Sequence, residues 1–483
     1  MMRALPFVIL ASAASAQPIF ENRSNGLPEH IYGGGWERVV GGGVAVVDCN
    51  GDRLPDIFAA GGGNPAQLFI NQGDFSFAPG ELASMTGVTG AYPLDTNGDG
   101  LLDLFVMRVG QNELQMGTGN CQFSQGAALP PRDDWTTAFS AWWDANNQLT
   151  MVVGNYVDRT NPDGPFEACD DNYLLSSDYL ATPLTPGFCP LSMLTSNDAR
   201  GRPTLRISND RHYYVRGGYE QMWDITDERF LGSEDGWENV SLWGMGIASR
   251  DITGDGRDEV MLTSMGDQLM QLANADGTYQ AAPFTIGTYA QRPHTGEDGR
   301  PSTGWHAEFG DVNNDGRADL FIAKGNVDQM PGLAMHDPNN LLMQNDDGTF
   351  SEAATTAGIA TTDRSRGAAL ADFDNDGRLD LVVMNRRAPM ELYRNITENV
   401  GNWLGIRLNQ TGSNSQAIGA TIIIGNQSQQ NTVGGVHAGG KAVSLHFGLG
   451  DATQAEVTVI WPDGSETRHS VDANQTVTLN RYG

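Results

Sequence analysis

Side chains bearing carboxylate, amide or hydroxyl oxygens recur along this chain at one fixed spacing. Asp48, Asn50, Asp52 and Asp56 form the first set, and Asp95, Asn97, Asp99 and Asp103 the second. Asp251, Thr253, Asp255 and Glu259 make the third, and Asp311, Asn313, Asp315 and Asp319 the fourth. Asp372, Asp374, Asp376 and Asp380 complete the series. Each set places oxygens at positions 1, 3, 5 and 9, with Gly at position 6 in four of the five and Arg53 in the first. A tightly coiled loop turns alternate side chains toward one point. Gly permits the left-handed turn that bends the chain back, position 7 can offer its carbonyl, and position 9 closes the cage. Hard oxygen donors without His or Cys select calcium over zinc or copper, and magnesium takes fewer protein ligands. About five calcium sites are therefore expected. Their expected role is structural: each ion neutralises clustered carboxylates and ties adjacent strands together.

The start of this pattern is shared with EF-hands, which need Glu at position 12 and a following helix. Here the loops run into Ile57 to Ala60, Leu104 to Met107, Val260 to Thr263, Leu320 to Ala323 and Leu381 to Met384. Those are short, bulky strand-type runs. The elements holding the loops are therefore strands on both sides. Loop starts at 48, 95, 251, 311 and 372 lie 47, 60 and 61 apart outside one long gap. That gap holds two eroded traces, around Asp144 to Gln148 and Asn197 to Thr204, both expected to bind nothing. A second periodic mark, a strand followed by an Asn/Asp/Gly turn and an aromatic, appears at Leu68 to Phe77, Leu114 to Phe123, Leu272 to Tyr279 and Leu341 to Phe350. Seven units of about four strands predict an all-β, seven-bladed β-propeller with degenerate third and fourth blades. Six and eight blades stay open, because the middle of the chain is the least regular. Beyond it, runs at Trp403 to Leu408, Ala420 to Ile424, Val443 to Phe447, Val457 to Trp461 and Gln475 to Leu479 alternate with Gly, Asn and Asp turns. They predict a small antiparallel β-sandwich.

The 483 residues carry 29 Lys and Arg against 59 Asp and Glu, a formal charge of −30. So acidic a surface repels phosphate backbones and anionic lipid, which disfavours nucleic-acid and membrane-surface binding. The loops hold 17 of the 59 acids, so five bound ions would bring −30 to about −20. Met1-Met2-Arg3, an apolar run from Ala4 to Ala14 and Ala14-Ser15-Ala16 describe an export signal over 1–16, and a mature protein that is periplasmic or extracellular. No later segment is apolar for long enough to span a bilayer. In an oxidising compartment Cys169 and Cys189 are expected to close one Pro-rich loop, while Cys49 and Cys121 read as free and buried. No CxxC or zinc-finger spacing occurs.

A propeller's innermost strands crowd its axis, so small residues are expected there. Five residues before each first Asp stand Gly43, Gly90, Phe139, Gly246, His306 and Gly367. Three before stand Ala45, Tyr92, Ala141, Ala248, Glu308 and Ala369. His306 and Glu308 break that rule on one face of one strand, with Tyr92 and Phe139 also directed inward. The pair reads first as an internal hydrogen-bonded pair filling the channel, and alternatively as a ligand or catalytic site. Trp243, Met245 and Trp305 read as packing. His212, His294 and His437 read as solvated or capping residues of polar loops.

On these residues the chain resembles the FG-GAP/VCBS repeats of integrin-α propellers and of many secreted bacterial proteins. Its last part, 399–483, resembles the ASPIC/UnbV domain through Asn402-Trp403-Leu404, Ala417 to Ala420, Leu445 to Gly450 and Val459 to Gly464. The combination resembles the cartilage acidic protein family, with the propeller over 17–398. That resemblance implies an extracellular, calcium-loaded propeller with a sandwich-like tail and roles around adhesion or ligand binding; it implies no agreed enzymatic activity. The expected function is a secreted calcium-binding module for a glycan or an extracellular protein. The alternatives are a calcium-dependent polysaccharide lyase or hydrolase working around His306 and Glu308, and a purely structural surface component.

Overall fold

The computed structural model describes residues 16–161, 168–210, 217–289, 303–327 and 335–482. The export-signal reading, and those for His212 and His294, fall outside them. Among the described residues, seven antiparallel sheets of four strands follow one another around a ring. The first sheet runs Val44–Val47, Asp56–Ala59, Gln67–Asn71 and Phe77–Pro79. Its innermost strand touches that of the next sheet, Val88–Leu94, and so on in order through Thr136–Trp143, Pro190–Asn197, Gly244–Arg250, Gly304–Gly310 and Ser365–Ala371. The last strand touches the first again, so the ring closes into a propeller. Closure joins the two ends of the propeller segment: Phe20–Asn22 supplies the outer strand of the final sheet, pairing with Glu391–Asn395. The two degenerate units are complete sheets, built on Thr136–Trp143 and Pro190–Asn197. Their strands persist because apolar residues such as Met151, Val153, Leu205 and Ile207 are buried between sheets, whatever their loops hold.

The tail is a two-sheet sandwich. One sheet orders Leu445–Gly450, Asn402–Asn409 and Gln475–Asn480; the other orders Gln427–Gln430, Thr421–Ile424, Gln454–Ile460 and Glu466–Asp472. Leu404, Ile406, Ile422, Phe447, Val459 and Trp461 fill the space between. Two differences from the expected sandwich have plain causes. Asn402–Asn409 and Gln475–Asn480 pair in parallel, a relation that local alternation cannot reveal. Gln427–Gln430 and Glu466–Asp472 are largely polar and pair at the sheet's edges, so they carry little apolar signal.

The tail also enters the propeller. Residues 433–442 leave the sandwich and run through the ring's centre. Val433 bridges Ala141, Gly434 bridges Leu194, Val436 bridges Ile247 and Gly439 bridges Ala91. Lys441–Ala442 then adds a parallel strand to Val44–Val47. The amides of Gly435 and Val436 donate to Met193 O and Ile247 O, each at 2.6 Å. Ser140 Oγ and the Tyr92 hydroxyl donate to Val433 O and Gly435 O, at 2.5 and 3.1 Å. This plug corrects the reason given for the small axial residues. They make room for another segment of the chain: a Cβ on Gly43 or Gly90 would collide with the Ala438 carbonyl, and one on Gly434 with the Met193 carbonyl. It also corrects His437, which is fully buried at the plug's centre, its ring 5.1 Å from that of Trp305. Phe139 stacks on Phe105 at 4.2 Å, between neighbouring sheets.

Cys169 and Cys189 are bonded, as expected, and so are Cys49 and Cys121, which corrects the reading of free thiols. The second bridge joins residues 72 apart in sequence. It ties the first loop to the hairpin turn of the second sheet, a proximity created only when adjacent sheets pack side by side.

Candidate functional site

Each of the five loops joins the first strand of its sheet to the second, so all lie on one face of the ring. The first Asp organises the turn. Asp48 accepts the amides of Gly51 and Arg53 at 2.8 and 3.1 Å, and Asp95 those of Gly98 and Gly100 at 2.7 and 2.9 Å. Asp251, Asp311 and Asp372 accept the position-6 amide at 2.8, 2.7 and 2.8 Å. Arg53 holds the left-handed backbone that Gly supplies elsewhere, with φ 74°. In the fifth loop one oxygen each from Asp372, Asp374 and Asp376 lies within 4.8 Å of the others. Asp374 Oδ1 is buried there with no hydrogen-bond partner. Burial first, then the charges of Asp376 and Asp374, pushes the Asp372 carboxyl up to about 7. Burial and the neighbouring Asp315 do the same to Asp311, also to about 7. Crowded, poorly solvated oxygens that resist ionisation are a donor set that fits a hard divalent cation.

The ninth-position acids sit differently. Both oxygens of Asp380 accept backbone amides, from Phe373 and Asn395 at 2.8 Å each. Asp319 takes those of Val312 and Gln344 at 3.0 Å, and Asp56 those of Cys49 and Asn71 at 3.1 and 2.9 Å. Asp103 and Glu259 repeat the arrangement with Thr96 and Gly117, and with Ile252 and Ala273. Each such acid clips its loop to the third strand of the sheet. Burial raises Asp56 and Glu259 to about 7, and Asp319 and Asp380 well above the usual carboxylate range. In the eroded units protein groups occupy the carboxylate, as Arg394 does one oxygen of Asp374 in the fifth loop. Asp144 accepts the amides of Asn146 and Gln148 at 2.8 Å, and Arg202 Nη2 stands 2.7 Å from Asp198.

The tail touches all seven corners of this face, a relation absent from the loop spacing itself. Arg407 Nη1 meets Asp48 Oδ2 at 2.7 Å, and Ser415 Oγ donates to Asp95 Oδ2 at 2.5 Å. Ser413 bonds the Asn147 carbonyl, and Asn197 N donates to Gln430 Oε1 at 2.9 Å. Asn426 lies against Gly254, and Trp403 against Gly377. Gly401 and Gly450 donate their amides to Asn313 O and Asn314 O at 3.0 and 2.9 Å.

In the channel, His306 Nε2 and Glu308 Oε2 are 3.1 Å apart and buried. Leu370 N donates to the same oxygen at 2.9 Å, and the plug's Lys441 bonds Glu308 Oε1 and Leu370 O. Lys441, His306 and their hydrogen bonds outweigh burial and hold Glu308 below its usual range. Geometrically this is an internal polar cluster that anchors the plug.

A ring of sheets whose inner corners carry this acidic loop, capped by a small sandwich, is the architecture of an FG-GAP-repeat protein. The FG-GAP-like repeat model matches residues 48–106, 251–322 and 329–383, and the ASPIC and UnbV model matches 410–482. The chain thus carries FG-GAP-like repeats and a C-terminal ASPIC/UnbV domain. It is similar to human cartilage acidic protein 1, with 27% identity over 218 residues, covering 41% of this chain and 30% of that protein. The Xenopus tropicalis cartilage acidic protein 1 is 32% identical over 91 residues, 19% of this chain and 12% of its own. The matched regions thus span less than a third of those relatives' length. Among solved structures, BBS1N in complex with ARL6DN aligns with a TM-score of 0.48 at 9% identity, over 80% of this chain and 99% of that one. No described helix is long and apolar enough to cross a membrane.

Proposed function

We propose that this is an exported, calcium-loaded propeller that works as an extracellular or periplasmic binding module for a glycan or a protein surface. The observation carrying this reading is the repeated set of hard oxygen donors, culminating in the Asp372, Asp374 and Asp376 cluster with its orphaned buried oxygen. Positions 1, 3 and 5 would supply the first ligands, with a ninth-position oxygen lending a remaining lone pair from behind. Calcium bound there removes the repulsion between carboxylates and braces each corner. Because the tail covers the loop face, partner contact falls to the opposite face or the outer face of the sandwich. The channel alternative has less support, since each oxygen of Glu308 already meets a protein partner and the plug fills the space before it.

The deciding experiment pairs calcium content of the purified, exported protein with melts in calcium and in chelator. About five ions per chain and a lower melting temperature in chelator are expected; no bound calcium at millimolar supply rejects the reading. Screening against glycan and extracellular-protein arrays then tests the binding role. Saturable binding that survives His306→Ala supports it, and turnover abolished by His306→Ala in a folded protein replaces it with the enzyme.

A further inference from the structure

Between the loop face and the tail lies a chamber of about 690 Å³. In a chain of formal charge −30, four cationic residues line it: the exposed Arg53, and Arg250, Arg407 and Lys441. Two are neutralised at its wall. Arg407 is paired with Asp48, and Lys441 with Glu308. Arg250 is not. It ends the inner strand Gly244–Arg250 and is only 6% exposed, yet its guanidinium donates no hydrogen bond and makes no ion pair to any described residue. Its one close side-chain contact of note is the Phe447 ring of the tail, 5.4 Å from the guanidinium carbon. The nearest acid on the chamber wall, Asp258, accepts from Ser249 Oγ at 3.1 Å and stays beyond ion-pair distance of Arg250. The positive charges of Arg250 and Lys441 both bear on His446 at the same wall, while the carboxylates of Asp258, Asp311 and Asp251 act on Arg250 from a distance without an ion pair.

A largely buried guanidinium without a hydrogen-bonded partner is a group that an incoming anion would stabilise. Its flat fork of five N–H donors matches two oxygens of one acidic group. We propose that this chamber binds a small oxyanion (a carboxylate, sulfate or phosphate group), held bidentately by Arg250. The Phe447 ring lies against the guanidinium and limits its freedom. The acidic exterior repels anions that have no such partner, which makes the chamber selective for a group small enough to reach Arg250. The site joins an inner propeller strand to a tail strand, so a bound anion would lie between the two domains.

The test uses the full-length protein with its calcium supply unchanged. Sulfate, phosphate and acetate are titrated by calorimetry at an ionic strength held constant with chloride, and crystals are soaked in selenate for an anomalous map. One saturable site is expected, weakened tenfold or more by Arg250→Met and unchanged by Arg468→Met, a highly exposed arginine of the tail. The selenate peak is expected within hydrogen-bond distance of the Arg250 guanidinium. Tighter binding of acetate than sulfate would assign a carboxylate ligand, and the reverse order a sulfate or phosphate group. A map of the unsubstituted protein with no peak in the chamber overturns the proposal, even if Arg250→Met fails to fold. Undiminished affinity in a folded Arg250→Met overturns it as well.

Discussion

His437 shows what a single side chain at the axis controls. Burial first, then the charges of Arg366 and His306, pulls its pKa from 6.5 down to about 3. The ring faces the backbone of Met245 and Gly41 but neither nitrogen reaches hydrogen-bond geometry, so the packed state holds it neutral. The unfolded chain binds a proton there below 6.5 and the folded chain does not until about 3. Stability therefore falls as pH drops through that window, by about 1.4 kcal/mol per unit once well below 6.5. Between pH 7.5 and 5 the protein should lose roughly 2 kcal/mol more than a His437→Gln variant, read from urea melts at each pH. The comparison with the variant removes the contribution of the buried carboxylates, whose raised pKa values act in the opposite direction when no calcium is present. Equal pH slopes would show that the ring is hydrated and ionises freely in the folded protein.

At the scale of the loop and its sheet, two acids in one turn should fail differently. Asp380 spends both oxygens on backbone amides, and an Asn in its place accepts with one group only. Asp380→Asn should cost about 1–3 kcal/mol, in chelator as well as in calcium. Asp376 belongs instead to the converging cluster. Asp376→Ala should therefore narrow the gap between calcium and chelator melts, with the loss of its contacts to Arg378 and Arg394 lowering both melts alike. A gap left intact would place the ion elsewhere. This division of labour is only half legible in sequence: the spacing announces an acid at position 9, but not that it faces the third strand, because Asn71, Gly117, Gln344 and Asn395 carry no mark of that contact. The repeats themselves were legible because acids, Gly and bulky strand runs recur together. The plug was not. Val433 to Val443 has neither period, and its glycines read as a loop until the channel walls they pass are in place. The Cys49–Cys121 bridge was hidden for a related reason, since its ends meet only through the packing of adjacent sheets.

Across the whole molecule, loops, tail and plug form one mechanical chain. The tail rests on every corner of the loop face, Arg407 and Ser415 bond the leading acids of the first two loops, and Trp403 packs on the fifth. The plug is held within the ring by backbone bonds to the inner strands and by Lys441 on Glu308. If calcium sets the shape of the corners, its withdrawal loosens the seat of the tail before it unfolds the sheets, whose apolar cores do not depend on the ion. Hydrogen exchange resolves the two. The amides of Gly435 and Val436 should be protected in calcium and exchange roughly tenfold faster or more in chelator, while those of the inner strand Asp319–Lys324 stay slow. The emission of Trp403, which leans on the fifth loop, should shift to the red over the same calcium range. Plug amides that stay protected in a chelated protein shown to have lost its calcium would mean that packing alone seats the tail. The ions would then brace each sheet separately, and propeller and sandwich would be coupled through the axis rather than through the loop face.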